Sequence, residues 1–508
     1  MMLFRSAGDP GSQHRKGHAM KTETTVIKAG SSRLSPLKRA YTGMIFPGAA
    51  FVSALFFTGY YLAGLMVSEE ALERVRVLYM LAAACHIIML PGIFLSKRQF
   101  GQIMLAANLC WIILSRWLLK DHIFVIESAI HWALVFCCLY ACGWLLEPKK
   151  RELLVKLVTA EVLAVLFVWA AVGLITALVG HSLPGFEGIC LKGEYVNNSL
   201  VSLSFYDTHR NKTAAFFLCG AGLCLYQCVK NRAFFWKLCA LLFLPLAYCI
   251  VALQHSRSNY LAFAVMLALT AVSLLWDTLR WTDRPVGVIG EILAAGICAI
   301  LLYASFGLCS SGLSRLSQRI QAAEAQPTAA VEMTEETAEA TTDSQESAPL
   351  QVTDNRNTLR DAKTLTGRVV IWKGLLRCIK EEPRIGLLGQ REKTMMKAVR
   401  KYTFPTVAHL HNILFQQLGL AGFPGMLLYI LWLLSMARDM IICFFIRKDR
   451  ESRAPKVLCA VLLGLLVYGV FEPLMSFKQP VSSMMFCLMA GLLAHISVRN
   501  DAQQTESV

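Results

Sequence analysis

The sequence predicts an all-α polytopic membrane protein with about 12 transmembrane helices and a large extracytoplasmic loop containing short amphipathic helices. Two observations predict this fold class. Of the 508 residues, 56% are hydrophobic and 17% are charged, whereas soluble globular chains have about 45–50% apolar and about 25% charged residues. The apolar residues also occur in long runs, and a run of about 20 crosses the hydrocarbon core as a helix. A soluble enzyme, a disordered chain and a fibrous protein are therefore excluded.

Twelve segments are long and apolar enough to span a bilayer. They are 41–66, 75–95, 100–119, 123–146, 153–179, 213–229, 235–254, 259–276, 287–309, 412–437, 457–473 and 479–497. They predict a membrane domain of nine spans over 41–309 and a second of three spans over 412–497.

The basic residues predict the orientation of these spans. One side holds 25 Lys and Arg, including eight in the basic tail 1–40, and the short connections on the other side hold eight. By the positive-inside rule, the tails 1–40 and 498–508 are cytoplasmic. We therefore expect a multi-pass protein of the bacterial cytoplasmic membrane, with residues 310–408 outside.

The outer segment changes composition along its length. Gln321–Asp354 contains eight acids and no Lys or Arg, which predicts that 310–355 is an acidic disordered tether. Arg356–Lys401 contains 13 basic residues and four acids, so 356–411 is predicted to be an amphipathic lobe. The positive-inside rule does not account for these outer cations, and the net charge of +16 does not indicate nucleic acid.

Two arginines are candidate anion ligands. Arg257 lies in a very short outer turn, and its planar guanidinium suits phosphate oxygens; a snorkelling side chain is the alternative. Helical periodicity places Arg368 and Trp372 on one stripe, which predicts an amphipathic helix that buries Trp372 and directs Arg368 to the membrane surface. An ordinary packed helix with a solvated arginine is the alternative. Pro383 ends this helix, and a tight turn at Gly386 and Gly389 follows.

His409-Leu410-His411-Asn412 precedes the tenth span. A histidine in the first helical turn faces the positive end of the helix dipole, which favours the neutral imidazole that a general base requires. A zinc site lacks a convincing third ligand, although Glu472 stays open as one. An interfacial histidine pair that caps the helix is the alternative.

These residues resemble a known family. His411-Asn412, nine residues, Gly422, two residues and Gly425 is similar to the H-N-x9-G-x-x-G signature of the O-antigen ligase and O-antigen polymerase superfamily. The Ser256-Arg257-Ser258 turn and Gly367-Arg368 with Trp372 also resemble family segments. The resemblance covers roughly residues 195–495. After Pro383 the family's Gly-x-Gly turn is replaced by Gly386-Leu387-Leu388-Gly389.

The resemblance implies an inverting glycosyltransferase that uses neither metal nor cofactor. Its donor is a glycan on undecaprenyl pyrophosphate, and its acceptor is a glycan, lipid or protein outside the cytoplasmic membrane. His411 would be the general base, with Arg257, Arg368 and, more weakly, Arg210 binding the pyrophosphate. The supporting residues would be His409, Asn412, Trp372 and Glu472, of which Glu472 would orient His411 or contact sugar.

Two other classes of function stay open. A lipid-linked glycan flippase or transporter would use an ionisable group inside the bilayer; Glu161, about 12 Å deep in the fifth span, is the candidate, with Lys156 as its partner. A sensor or scaffold would need only the outer lobe. Transport predicts substrate flipping without glycosidic bond formation, and a scaffold predicts no requirement for His411.

Overall fold

The structure is a computed structural model of the 508-residue chain. It describes residues 47–51, 53–54, 100–120, 140, 146–186, 189–193, 201–205, 210–231, 233–279, 285–331, 363–403, 407, 409–446, 453–474 and 480–505. These residues are almost entirely helical.

The helices up to residue 331 form the first part of the membrane region. They are α1 (Phe100–Leu118), α2 (Pro148–Val179), α3 (Arg210–Lys230), α4 (Phe234–Leu253), α5 (Arg257–Leu279) and α6 (Pro285–Val331). Proline suits the first position of α2, because the N–H that it lacks has no partner inside a helix. Large apolar side chains from these helices form one buried core with those of the C-terminal helices.

The remaining helices form a small lobe and the C-terminal membrane region. They are α7 (Lys363–Glu381), α8 (Pro383–Leu388), α9 (Glu392–Arg400), α10 (Ile413–Ile441), α11 (Arg453–Phe471) and α12 (Pro480–Thr505), and a π-helical turn, Ile442–Ile446, extends α10. Within the bundle, α5 packs against α6 and α11, and α1 packs against α10.

Among the described residues, eight helices have the length and hydropathy to cross a membrane, namely α1 to α6, α10 and α11. They coincide with eight predicted spans, so a multi-pass membrane protein is confirmed. The ninth of the described predicted spans, 479–497, corresponds to a shorter apolar stretch of α12, Ser482–Ile496. The predicted spans 41–66, 75–95 and 123–146 lie largely outside the described residues, as do the tail 1–40 and most of the acidic tether.

A two-stranded antiparallel sheet departs from the all-α prediction. Strand β1 (Ile189–Gly193) pairs with β2 (Val201–Phe205) in the connection between α2 and α3. The hairpin forms because Leu203 and Phe205 alternate with serines, so that both apolar side chains lie on one face. Phe205 is buried and stacks on Trp169 of α2 at 4.8 Å between ring centroids.

Helix α6 is longer than the predicted ninth span. It continues past residue 309 to Val331, through residues that the composition assigned to a disordered tether. Ser317 Oγ donates to Ala177 O at 2.8 Å, so this extension packs on the end of α2. Low hydropathy therefore does not mark the end of the helix, because Ala, Gln and Glu still favour helix beyond residue 309. Helix α12 likewise runs to Thr505, through most of the predicted tail 498–508.

The predicted partner of Glu161 is not the observed one. The Lys156 ammonium lies 2.8 Å from Glu152 Oε1, one turn earlier on the same helix, and the Glu161 side chain hydrogen-bonds Ser53. An i,i+4 pair forms more readily than one five residues apart, because residues four apart share a helix face.

Helix α10 is broken at Gly422, where φ is 67° and ψ is −173°. The break allows the turn after α8 to dock closely. An added Cβ on Gly422 would lie 2.3 Å from Leu387 O, and one on Gly389, where φ is 68°, would lie 2.3 Å from Leu420 O. Gly389 thus ends α8 as predicted, whereas Gly386 lies inside α8 and is not part of the turn.

Side chains of α1 bind carbonyl groups around this break and in the turn after α8. Asn108 Nδ2 donates to Gly425 O at 2.6 Å and Trp111 Nε1 donates to Ala421 O at 2.7 Å. Arg116 Nη2 donates to Gln390 O at 2.7 Å and also to Leu420 O. Arg116 is fully buried, so α1 joins α10 to the lobe through these side chains.

Replacing Arg116 by leucine is expected to destabilise the fold. Loss of charged hydrogen bonds to buried carbonyls costs about 2–5 kcal/mol, so the thermal midpoint of the detergent-solubilised protein should fall by several degrees. Trp117→Leu is the control, because Trp117 is the next residue along α1 and is 60% exposed. Equal midpoints for the two variants would contradict the proposed contribution of Arg116.

Candidate active site

The segment that carries the two histidines is held in front of α10. Asn412 is the N-cap of α10, and its Oδ1 accepts from the N–H groups of Leu414 at 2.8 Å and Phe415 at 3.1 Å. His411 therefore lies just outside the helix and not in its first turn as predicted. It has a φ of 51°, which non-glycine residues adopt mainly at constrained sites.

Trp372 fixes the same segment from the lobe. Its indole Nε1 donates to Leu410 O at 2.8 Å, and its ring stacks on Phe415 at 4.8 Å between centroids. The peptide between the two histidines is thus bound to α7 as well as to α10. This geometry agrees with the predicted burial of Trp372, which is half-buried here.

Glu472, directly after α11, is the centre of the site. Its carboxylate is fully buried, and His409 Nε2 lies 2.9 Å from Oε2. Oε1 lies 3.3 Å from His411 Nδ1 and 3.5 Å from Arg368 Nη2. Because a carboxylate only accepts hydrogen bonds, the two histidine nitrogens that face it carry protons.

The charge state of Glu472 follows from these contacts. Burial alone would raise the pKa of Glu472, but the hydrogen bonds from His409 and His411 outweigh it and hold that pKa well below its usual range. The group is therefore an ionised carboxylate at neutral pH.

Arg368 lies on the site-facing side of α7. Its side chain is 23% exposed, and its guanidinium lies over the ring of Phe471 at 5.3 Å from the centroid. Desolvation lowers the pKa of Arg368 and Glu472 opposes that effect, yet arginine keeps its charge in proteins. The guanidinium therefore faces the buried carboxylate and not only the membrane surface that the periodicity suggested.

The turn that carries Arg257 is joined to Glu472 by polar side chains. Asn211 Nδ2 donates to Glu472 Oε1 at 2.6 Å. Asn259 Nδ2 donates to Asn211 O at 3.2 Å and to Ser256 Oγ at 2.6 Å. Arg257, half-buried, begins α5 within this turn, so the turn and the histidine segment belong to one site.

Three helix N-termini meet around the carboxylate. They are those of α3 next to Asn211, α5 at Arg257 and α10 after Asn412. Helix N-termini present N–H groups and a partial positive charge, which suit an anionic ligand. Arg210 begins α3 beside Asn211, and its side chain lies outside the described part of the chain. Sequence reasoning missed Asn211, whose only signal is its place in the first turn of α3.

The comparison with known families agrees with this geometry. Residues 240–430 match the model of a family described as O-antigen ligase. Residues 240–430 thus resemble an O-antigen ligase domain. The match supports the predicted family, and that family suggests a membrane enzyme that transfers glycans. No curated protein gives a significant match to this chain.

The family match includes Arg257, Arg368 and His411, whereas Asn211 and Glu472 lie outside it. The structure also gives physical reasons for the two glycines of the O-antigen ligase signature. Gly422 has a backbone conformation that other residues adopt only with strain. An added Cβ on Gly425 would lie 2.2 Å from Ala421 Cβ and 3.1 Å from Trp111 Cδ1, so this glycine avoids an overlap across the break and also permits the close approach of α1.

In the described part of the chain, His409, His411 and Glu472 form a group that could hold a metal ion. Their ligand atoms lie within 4.8 Å of one another, and a three-ligand site with an open position is typical of catalytic zinc. However, both oxygens of Glu472 already accept hydrogen bonds, and Oε1 faces the cationic Arg368 and the amide of Asn211. A hydrogen-bonded cluster of two histidines, a carboxylate and a guanidinium is the alternative to a metal site.

Replacing Glu472 by glutamine is expected to slow glycan transfer by about 10²–10⁴-fold, because an amide no longer fixes the protonated nitrogen of His411.

The same replacement should also change how the thermal midpoint of the protein depends on acidic pH. The carboxylate, whose pKa is lowered by folding, contributes stability above its unfolded pKa of about 4.3 and loses it as pH falls. The thermal midpoint of the wild type should therefore fall more steeply than that of Glu472→Gln on acidification. Parallel curves would contradict the ion-pair network.

Proposed function

We propose that this protein is a metal-independent, inverting glycosyltransferase that moves a glycan from undecaprenyl pyrophosphate to an acceptor hydroxyl. The acceptor is a glycan, lipid or protein at the outer face of the bacterial cytoplasmic membrane, as for an O-antigen ligase or a surface-polysaccharide polymerase. The observation that carries the proposal is the contact of His411, Glu472 and Arg368 in one partly buried cluster.

The donor pyrophosphate would bind at the three helix N-termini. Arg257 and Arg368 supply fixed positive charge there, with Arg210 beside them, and the polyprenyl chain lies between the spans. Negative charge grows on the leaving pyrophosphate as its bond to the anomeric carbon breaks. Preorganised guanidinium groups stabilise that charge in the transition state.

His411 would be the base that activates the acceptor. Its Nδ1–H donates to Glu472 Oε1, so its Nε2 keeps the lone pair that accepts the hydroxyl proton. The acceptor oxygen forms a bond to the anomeric carbon while the bond to the pyrophosphate oxygen breaks. Undecaprenyl pyrophosphate leaves, and a single displacement inverts the anomeric centre.

The proposed topology puts this site outside the cell membrane. Both termini are cytoplasmic, 41–309 and 412–497 are the two parts of the membrane domain, and 356–411 is the extracytoplasmic lobe. The ends of α3, α5, α7, α10 and α11 that form the site then lie at the same outer surface, where the lipid-linked donor is presented.

Arg257→Ala and Arg368→Ala test the donor site in proteoliposomes that contain EDTA and a labelled lipid-linked glycan. Each is expected to reduce transfer by about 10²-fold or more, because oxyanion-type stabilisation by one group contributes that much, and EDTA should leave the wild-type rate unchanged. Arg319→Ala is a control outside the cluster. Transfer that EDTA abolishes, or near-wild-type turnover of both arginine variants, would contradict the proposal.

A further inference from the structure

The outer lobe carries more positive charge than the site uses. Arg368 faces Glu472. Eight other cations, seven in α7 to α9 and Lys401 directly after α9, are exposed to solvent. They are Lys373, Arg377, Lys380, Arg384, Lys393, Lys397, Arg400 and Lys401. In the described part of the chain, no carboxylate forms an ion pair with any of the eight.

The cations follow the same spacing on two helices. Lys373, Arg377 and Lys380 lie at i, i+4 and i+7 on α7, and α9 repeats this spacing with residues 393, 397 and 400. This spacing puts each set on one helix face. The opposite faces form the lobe core, which includes Leu375 and Val399.

The two cationic faces are neighbours. An added Cβ on Gly374 would lie 2.6 Å from Thr403 Cγ2, so α7 and the end of α9 are in close contact. The hydroxyl of Tyr402 donates to Glu381 Oε2 across the same contact. Thus the cations at the end of α9 lie beside those of α7.

The exposed face of α9 is polar throughout. Its exposed residues are cations and Thr394, whereas the exposed apolar residues of the lobe, Val369, Leu376 and Leu387, lie on α7 and α8. A helix that enters the bilayer surface exposes apolar side chains between its cations. The face on α9 therefore suits a water-soluble polyanion better than a lipid surface.

We propose that the neighbouring cationic faces of α7 and α9, from Lys373 to Lys401, bind acidic sugars of the acceptor glycan. The groups bound would be carboxylates or phosphates repeated along the glycan chain. The inference rests on the proposed function, because the acceptor must reach His411. Helix α7 begins beside the site, and its cations extend about 18 Å from Arg368 to Lys380 by helical rise. A chain bound along them would present its end to the base.

Binding of a labelled oligogalacturonate to the purified full-length chain tests this, with a neutral dextran oligosaccharide of equal length as the comparison. We expect Lys393→Glu/Lys397→Glu to weaken binding about tenfold or more at low salt and to raise KM for an acidic acceptor without lowering kcat. Lys149→Glu/Lys237→Glu, which reverses two exposed cations on α2 and α4, should leave binding unchanged. His411→Ala should also bind the probe normally, so the two proposals can fail separately.

Four outcomes would overturn the inference. Equal binding of the acidic and neutral probes would show that charge is not recognised, and unchanged binding in Lys393→Glu/Lys397→Glu would place recognition elsewhere. If the wild type binds anionic lipid vesicles through these lysines but not the oligogalacturonate, the face is a membrane contact. Probe binding that appears only after the acids of 332–354 are made neutral would show that the chain itself covers the face.

Discussion

Replacement of His411 by alanine is expected to lower the rate of glycan transfer by about 10²–10⁴-fold, the usual contribution of a general base. The loss should appear in kcat and not in donor binding, because in the proposed mechanism the arginines and helix N-termini hold the donor pyrophosphate. The measurement is the initial rate of transfer from a labelled lipid-linked glycan in proteoliposomes, with a separate donor-binding assay.

His181→Ala is the matched control for this variant. His181 is an exposed histidine in the connection after α2, and its Nδ1 lies 3.2 Å from Ser182 O. Its replacement should leave the transfer rate unchanged. A rate for His411→Ala within a few-fold of that of the control would mean that another group accepts the proton.

Replacement of Gly422 by alanine is expected to prevent the lobe from docking on α10. A side chain at this φ and ψ is strained by about 1–3 kcal/mol, and its Cβ would overlap Leu387 O at 2.3 Å. Because Leu387 O is a backbone atom, the overlap can be relieved only by moving α8. We expect the thermal midpoint of the detergent-solubilised variant to fall by several degrees, or the protein not to accumulate.

Gly307→Ala is the control for the glycine prediction. Gly307 lies in α6, and nothing lies within 4 Å of an added Cβ. In a helix interior, alanine is favoured over glycine by about 0.5–1 kcal/mol, so this variant should be as stable as the wild type or slightly more so. If Gly422→Ala had the same thermal midpoint as Gly307→Ala, the break in α10 would not require glycine.

The fold and the histidine segment were largely predictable because their signals are local. Apolar runs predicted the described spans, and Glu381 before Pro383 correctly predicted the end of α7. The hairpin also had a signal, because Val201, Leu203 and Phe205 alternate with serines. However, an alternation of only five residues is difficult to recognise between long apolar runs.

The partners of the site were less predictable because they are distant in sequence. Glu472 is 61 residues from His411, and a single acid at the end of a span does not reveal that it joins two histidines and an arginine. Arg116, near a span end, fits a snorkelling side chain in sequence. The groups that accept its hydrogen bonds, Leu420 O and Gln390 O, are backbone carbonyls. Every residue has such a group, so residue types do not identify these partners.

The most direct test of the account is the chemistry of the product. Purified protein in sealed proteoliposomes, with a lipid-linked donor, an acceptor and EDTA, should release one undecaprenyl pyrophosphate for each new glycosidic bond, and that bond should have the inverted anomeric configuration by NMR. Movement of the donor across the bilayer without bond formation, or a product of retained configuration, would contradict a single-displacement transferase.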